Sequence, residues 1–237
     1  SIAFRSTVIL SALPQNVKGL SYRSLNERRL ILIFGIERNG TKSHFIIGIT
    51  GCYSGAGATH LAIALANLCG SKYKAATAYL EFHKRDEIRL LMTDATLPYA
   101  QKENRCRTYF RIHDVDYYPA TGRDEFPALL NLGYRYLVLD FGSLSEADLT
   151  EFLRCDKKII IGSVAPWKMD NFRNCQKLLN QKISSGEGCI YLMRTGKPHT
   201  FHSISGRSPI VLRKVPLIQN PFRIEKELFP VLQELLD

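Results

Sequence analysis

The sequence predicts a three-layer α/β domain: a doubly wound, mostly parallel sheet with helices on both faces. Three observations predict it. Short, largely apolar runs recur at residues 45–49, 75–82, 134–140, 158–162 and 189–193, and most are too uniformly apolar to keep one face in water. Segments with helical spacing of apolar residues lie between several of them, the alternation that builds βα units. The first run opens directly into a glycine-bearing loop and then a helix, FIIGITGCYSGAGATHLAIALANLC. Strand, glycine loop and helix make a phosphate cradle, because loop amides and the helix N-terminus turn partial positive charge toward one anion.

That loop resembles the P-loop of the ParA/MinD partition and positioning ATPases, roughly K-G-G-x-G-K-[ST]-T. Gly55, Gly57 and Thr59 match the pattern. The family's essential lysine falls on Ala58, its additional signature lysine on Tyr53, and the second leading residue on Ser54. The resemblance covers residues 45–237 and implies the ParA/MinD type of P-loop NTPase fold. It implies ATP or ADP with Mg²⁺ as the ligand, if any. Ser54, Gly55, Ala56, Gly57, Ala58, Thr59 and His60 would form a vestigial or weak nucleotide contact, with Thr59 and Asp140 on the Mg²⁺ side. Without a lysine at position 58 the loop carries no full positive charge to the β- and γ-phosphates, which is most of what such a site does for phosphoryl transfer. The expectation is a decayed ATPase with no catalytic residue.

In chain order, residues 1–44 are left as an unassigned arm or extension. Residues 30–36 (LILIFGI) read as a strand, and Asn39-Gly40 is a turn signal that could pair it with residues 45–49 as a hairpin. The central place of the P-loop strand in the family argues against that pairing. The strand at 75–82 ends where the family places an acidic switch motif. Glu81 and His83 stand there, so Glu81 is a possible switch position and also an ordinary polar end to a strand.

Residues 89–92 suggest a short helix and 109–115 alternate like one strand. Residues 124–132 read as a helix with Asp124 near its N-cap and Gly133 at its end. The stretch YRYLVLDFG at 134–142 is an apolar strand ending in Asp140, the arrangement a Walker B carboxylate needs beside the P-loop hydroxyl. Helix at 148–153, strand at 158–162, helix at 168–182 and strand at 189–193 follow, with Asp156 before the second strand. Phe172, Cys175, Leu178 and Leu179 share a helix face, and Gly186 and Gly188 end that unit. The family's adenine-reading asparagine is absent at the end of the 189–193 strand, where Met193-Arg194-Thr195 stands. A strand at 215–218 and an amphipathic helix at 224–236 close the chain.

Bulk properties exclude more than they identify. The 237 residues, 45% hydrophobic, suit one domain, or one with an appendage, and a full core. No uninterrupted apolar segment is long enough to cross a bilayer. The opening SIAFRSTVILSALPQ is broken by Arg5, Ser6 and Thr7 and is not read as a signal peptide. Six cysteines without CxxC spacing read as reduced thiols of a cytoplasmic protein. A net charge of +10 permits nucleic acid, anionic lipid or an acidic partner, but the basic residues are spread and form no long run.

His199 and His202, with His60, His83 and His113, show none of the stronger zinc spacings. Asp114 and Asp116 could pair for acid–base work, or simply mark an exposed strand end. Tyr117, Tyr118, Trp167 and Phe222 could be surface aromatics, although core packing is their commoner fate.

Within the clan, lysine-poor P-loops resemble the TadZ/CpaE branch, which positions the assembly machinery of Flp-type pili. The resemblance implies a non-catalytic or weakly nucleotide-binding scaffold. It would work through protein partners and a homodimer, in the cytoplasm or at the inner face of the membrane or cell pole. Tyr53 argues against the family's ATP-sandwich dimer. Two alternatives stay open: an active partition-type ATPase in which Lys168 replaces the missing lysine, and a DNA- or membrane-surface binder acting through charge.

Overall fold

Among the described residues nine strands form one sheet in the order β3-β4-β5-β2-β6-β1-β7-β8-β9. The computed structural model describes residues 44–94, 97, 99–182, 188–194 and 211–237. The expectations for residues 30–36, Gly186, Thr195, His199 and His202 lie outside these. Strands β1 (Phe45–Gly51), β2 (Thr77–Glu81), β6 (Tyr136–Ser143), β7 (Lys157–Gly162), β8 (Cys189–Met193) and β9 (Val211–Lys214) pair in parallel. So does β5 (Val115–Tyr118) with β2. Among the described residues only β4 (Thr108–Ile112) runs against the rest, pairing antiparallel with β5 and with the edge strand β3 (Tyr99–Glu103) as a hairpin extension beyond β5.

The apolar runs explain the central strands. Ile47, Ile49, Leu137, Leu139, Ile159, Ile160 and Ile161 are fully buried, each contributing roughly 1.5–3 kcal/mol through burial. Helix α1 (Ala58–Asn67) packs on β1, β2 and β6, and its alanines let it lie flush on the sheet. A π-helical turn, Leu68–Lys72, continues it. The short helices are α2 (Phe126–Leu130), α3 (Leu149–Arg154) and α5 (Phe229–Gln233), and α4 (Met169–Asn180) is longer. Gly48 is a packing requirement: a Cβ there would lie 2.7 Å from Cys155 Sγ. Asp156 locks the neighbouring strand entry, accepting from Ile46 N at 3.0 Å and donating its own amide to Ile46 O at 2.9 Å.

Several local expectations are corrected. The run at 109–115 is not one strand, because His113 adopts φ 52° and turns β4 into β5. Asp114 and Asp116 therefore do not form an acid pair: Asp114 is exposed in the turn and pairs with Lys74, while Asp116 is buried against Arg111. Tyr117 and Tyr118 are core residues, and Phe222 tilts on Tyr117. Trp167 is indeed a surface aromatic, 80% exposed.

Helix α2 has its N-cap at Glu125, next to Asp124 as expected, but the last strand lies at Val211–Lys214, ahead of 215–218. The terminal helix breaks into a 3₁₀ turn (Lys226–Leu228) and α5, with Pro230 allowed in the first turn because no intrahelical donor is needed there. Leu178 lies partly outside the α4 face that buries Phe172, Cys175 and Leu179. All six cysteines are free thiols. Among the described residues no helix is long and apolar enough to cross a membrane.

Candidate functional site

Parallel sheets expose the carboxyl ends of their strands along one edge, where ligands bind in such folds. Here β1, β2 and β6 are adjacent, with Glu81 and Ile49 both in register with Asp140. The loop after Gly51 therefore sits beside the ends of β2 and β6. Ala56 N donates to Tyr53 O at 3.2 Å, closing the loop tightly. Gly55 and Gly57 take φ of 80° and 106°, and Gly57 is the N-cap of α1. No side chain caps α1 and no acid lies in its first turn, so its dipole and first amides suit an anion. The strand, glycine loop and helix expected here follow one another as the sequence suggests.

A cavity of about 420 Å³ lies over this cradle, lined by residues 53–60 with His83, Arg85, Glu87, Gly142 and Ser143. Its volume falls within the range of ordinary ligand sites, about 300–1,000 Å³. Beneath it Asp140 is wholly buried. Asp140 Oδ2 accepts from Tyr79 Oη at 2.8 Å and Oδ1 from Gly142 N at 2.9 Å. Burial alone would raise its carboxyl, but His83, the Thr59 hydroxyl and the Gly142 amide outweigh burial and hold it below the ordinary carboxylate range. Burial first, and then the charge of Asp140, push the Tyr79 phenol well above its usual value, so it stays a neutral donor.

His83 belongs to the same group. Its Nδ1 accepts from Arg85 N at 3.3 Å, which places the proton of the neutral ring on Nε2. That atom lies 3.5 Å from Asp140 Oδ2 and 3.8 Å from Glu81 Oε1, and it has no hydrogen-bond partner although buried. These separations are too long for ordinary hydrogen bonds, so charge couples ring and acids once the ring is protonated. Burial lowers the His83 pKa, yet Asp140 and Glu81 raise it further, above its ordinary value.

Glu81 is engaged otherwise. Its Oε1 accepts from Glu87 N at 2.6 Å and Ile88 N at 3.2 Å, and its Oε2 from Ala120 N at 2.9 Å. The carboxylate pins the 3₁₀ turn Glu87–Thr93 and the loop after β5 to the end of β2. Both oxygens of this possible switch residue are taken by backbone.

The charge of the loop is supplied from elsewhere. Position 58 presents a buried methyl group. Arg85 Nη1 donates to Ser54 Oγ at 2.8 Å, and its Nη2 meets Glu146 at 2.7 and 2.8 Å. Arg194, at the end of β8, donates to Gly55 O and Ala56 O at 3.3 and 3.4 Å. Lys168 Nζ lies 4.4 Å over the Tyr53 ring, a cation–π contact. His60 is tied to Ile218 O at 2.8 Å.

Thus the structure brings together Ser54, Gly55, Ala56, Gly57, Ala58, Thr59, His60 and Asp140. It adds Arg85, Arg194, Tyr79 and Glu146, which sequence reasoning missed. The signal for Arg85 was its place just beyond the end of β2, on the ligand-bearing edge.

Thr59 beside Asp140 and the uncapped helix fit Mg²⁺ and phosphate. His83 lines the cavity, and its buried Nε2 is left without a hydrogen-bond partner. Among the described residues no cluster of three or more His, Cys, Asp or Glu could hold a metal alone.

No family model matches this sequence, and no curated protein matches it. Solved structures do match its fold. One is a plasmid partition protein of Borrelia burgdorferi B31 bound to AMPPNP: TM-score 0.54, 16% identity, 81% of this chain and 96% of that one. A MinC:MinD cell division complex of Aquifex aeolicus matches at TM-score 0.51 and 12% identity, covering 81% and 86%. The cell division ATPase MinD of Pyrococcus furiosus matches at 0.50 and 13%, covering 81% and 98%. At such identities the likeness shows the fold, that of the ParA/MinD P-loop ATPases, as the sequence predicted.

Proposed function

We propose that this chain is a weak nucleotide binder that works as a scaffold on a ParA/MinD-type fold, without ATPase turnover. The observation that carries the reading is the contrast inside one cleft. The glycine loop and Thr59 line the cleft and Asp140 lies under it, while position 58 is alanine and, among the described residues, the cations touching the loop are turned to a protein acceptor or ring. The loop amides would orient the phosphates, and Thr59 and Asp140 would hold Mg²⁺, which neutralises phosphate charge when bound. Nothing in the loop then adds the full charge that phosphoryl transfer needs. Glu81 is fully buried with three backbone amides on its carboxylate, so it is not presented to an attacking water.

A scaffold of this kind acts through protein partners. The resemblance of the lysine-poor loop to the TadZ/CpaE branch supports a role in positioning a cell-surface, Flp-type pilus machinery. That reading places the protein in the cytoplasm, free or peripheral at the inner face of the membrane or the cell pole. It also treats residues 45–237 as the P-loop domain and residues 1–44 as its extension.

A second reading, hydrolysis with Lys168 standing in for the missing lysine, is favoured by one contact. Lys168 lies beside the loop on Tyr53 and would have to leave that ring.

Calorimetric titration of ATP and ADP with Mg²⁺ tests the choice. The native chain should bind at roughly millimolar strength or weaker. Ala58→Lys should tighten binding by about tenfold or more, as a charge-assisted phosphate contact supplies. Micromolar binding by the native chain with phosphate release abolished in Lys168→Ala would establish the second reading instead.

A further inference from the structure

We propose that Arg85 is the terminal-phosphate ligand of this cleft and that Glu146 is an internal anion holding its place. The proposal rests on the nucleotide-binding part of the reading above. Among the described residues Arg85 is the one lysine or arginine lining the cavity. It reaches there from the end of β2, the side on which Thr59, His83 and Asp140 lie, and its Nη1 is already on the phosphate loop at Ser54 Oγ. The other arginine near the loop, Arg194, contacts the carbonyls of Gly55 and Ala56 and does not line the cavity.

The remaining contacts of Arg85 are anions. Its Nη2 faces both oxygens of Glu146 at 2.8 and 2.7 Å, and Glu87 stands 3.6 Å from Nη1. A guanidinium fork accepts a carboxylate or a phosphoryl group in the same planar manner. Glu146 is therefore a monovalent stand-in for a divalent terminal phosphate. Both side chains are partly exposed, 33% and 48%, and ion pairs of that exposure hold weakly.

Exchanging one anion for the other costs Arg85 little and requires only rotation of a long side chain. When Arg85 takes the phosphate, Glu146 is released. Glu146 belongs to the turn between β6 and α3, so the segment leading out of the Asp140 strand loses its tether to the loop. Occupancy by a triphosphate, but not by a diphosphate, is thereby reported on the surface before α3.

The test is calorimetry of MgATP and MgADP on the full chain and three variants, Arg85→Gln, Glu146→Gln and the double variant. If native binding is below detection, the series is run in the Ala58→Lys background. Glu146→Gln frees the fork and should tighten ATP about fivefold while changing ADP less than about twofold. Arg85→Gln should weaken ATP about tenfold, and the double variant should lose the gain of Glu146→Gln, as one charge-assisted contact implies. Equal shifts for ATP and ADP overturn the proposal, because they report only a general change of field. Binding by Ala58→Lys that ignores both substitutions overturns it while leaving the nucleotide cleft intact. No ATP binding by any variant, Ala58→Lys included, overturns both.

Discussion

Two buried aspartates on this sheet are solvated by protein in opposite ways. Asp116 on β5 is held by the Arg111 fork at 2.5 and 2.7 Å and by Tyr134 Oη at 2.8 Å. Tyr134 continues to Tyr118 Oη at 2.7 Å, which accepts from Asn104. Every oxygen has a partner at hydrogen-bonding distance and the network closes on itself. Burial, then its hydrogen bonds to Tyr118 and Asp116, raise the Tyr134 phenol far above its usual value.

Asp140 on β6 accepts from Tyr79 and Gly142 with the Thr59 hydroxyl beside it, but the His83 nitrogen 3.5 Å away has no hydrogen-bond partner, and Thr59 and His83 both line a cavity. A closed set of partners makes an acid part of the frame. An open one leaves it available to a ligand, and this difference separates structure from site more sharply than burial does.

The largest test of that contrast is Arg111→Ala. It strips a buried carboxylate of its cation, and breaking such pairs costs about 3–5 kcal/mol. Because Arg111 is 41% exposed, water can enter, and the expected loss is at the low end, about 3 kcal/mol. Urea unfolding measures it, with nucleotide titration unchanged. A loss under about 1 kcal/mol would mean that the Asp116 network is not part of the frame.

Glu81→Gln is the sharper probe, since Glu81 borders the site yet has a closed set of partners. The amide nitrogen must face one of three backbone donors, costing about 2 kcal/mol. A merely local loss of nucleotide binding at unchanged stability would move Glu81 to the open side.

The smallest effect concerns pH. His83 has a folded pKa raised above 6.5, so its contribution to stability is fully present below pH 6.5 and is lost as pH rises through the folded value. Asp140 is the mirror case: its lowered pKa gives a contribution present above pH 3.8 and lost as pH falls through the folded value. Thermal melts from pH 6 upward should therefore decline less steeply in His83→Gln than in the native chain. Parallel profiles would remove the charge coupling assigned to the open group.

Much of this was legible in the residues because it depends on local pattern. Uniformly apolar runs announced β1, β6, β7 and β8, and the glycine loop between β1 and α1 announced the cradle with Gly57 at its turn. The hairpin was not legible. His113 in a left-handed turn carries no glycine signal, and β3 (YAQKE) is mostly exposed with no apolar alternation.

The environment of the loop was equally hidden, for a different reason. Arg85 and Arg194 reach it across 31 and 139 residues, and no spacing rule connects them. Only the sheet order makes the ends of β2 and β8 neighbours of one loop. Glu81 was visible as an acid at the right place, but its backbone partners depend on where the chain travels after β2 and β5.

The central position of β1 also has a consequence for biosynthesis. Its two neighbours are β6, about ninety residues further along, and β7 beyond that. At roughly 5–20 residues per second, this apolar segment leaves the ribosome roughly 5–20 s before either partner exists. The strand that carries the phosphate loop is thus among the first made and has the longest wait for its two neighbours. Until β6 arrives, that stretch is a natural ligand for a chaperone.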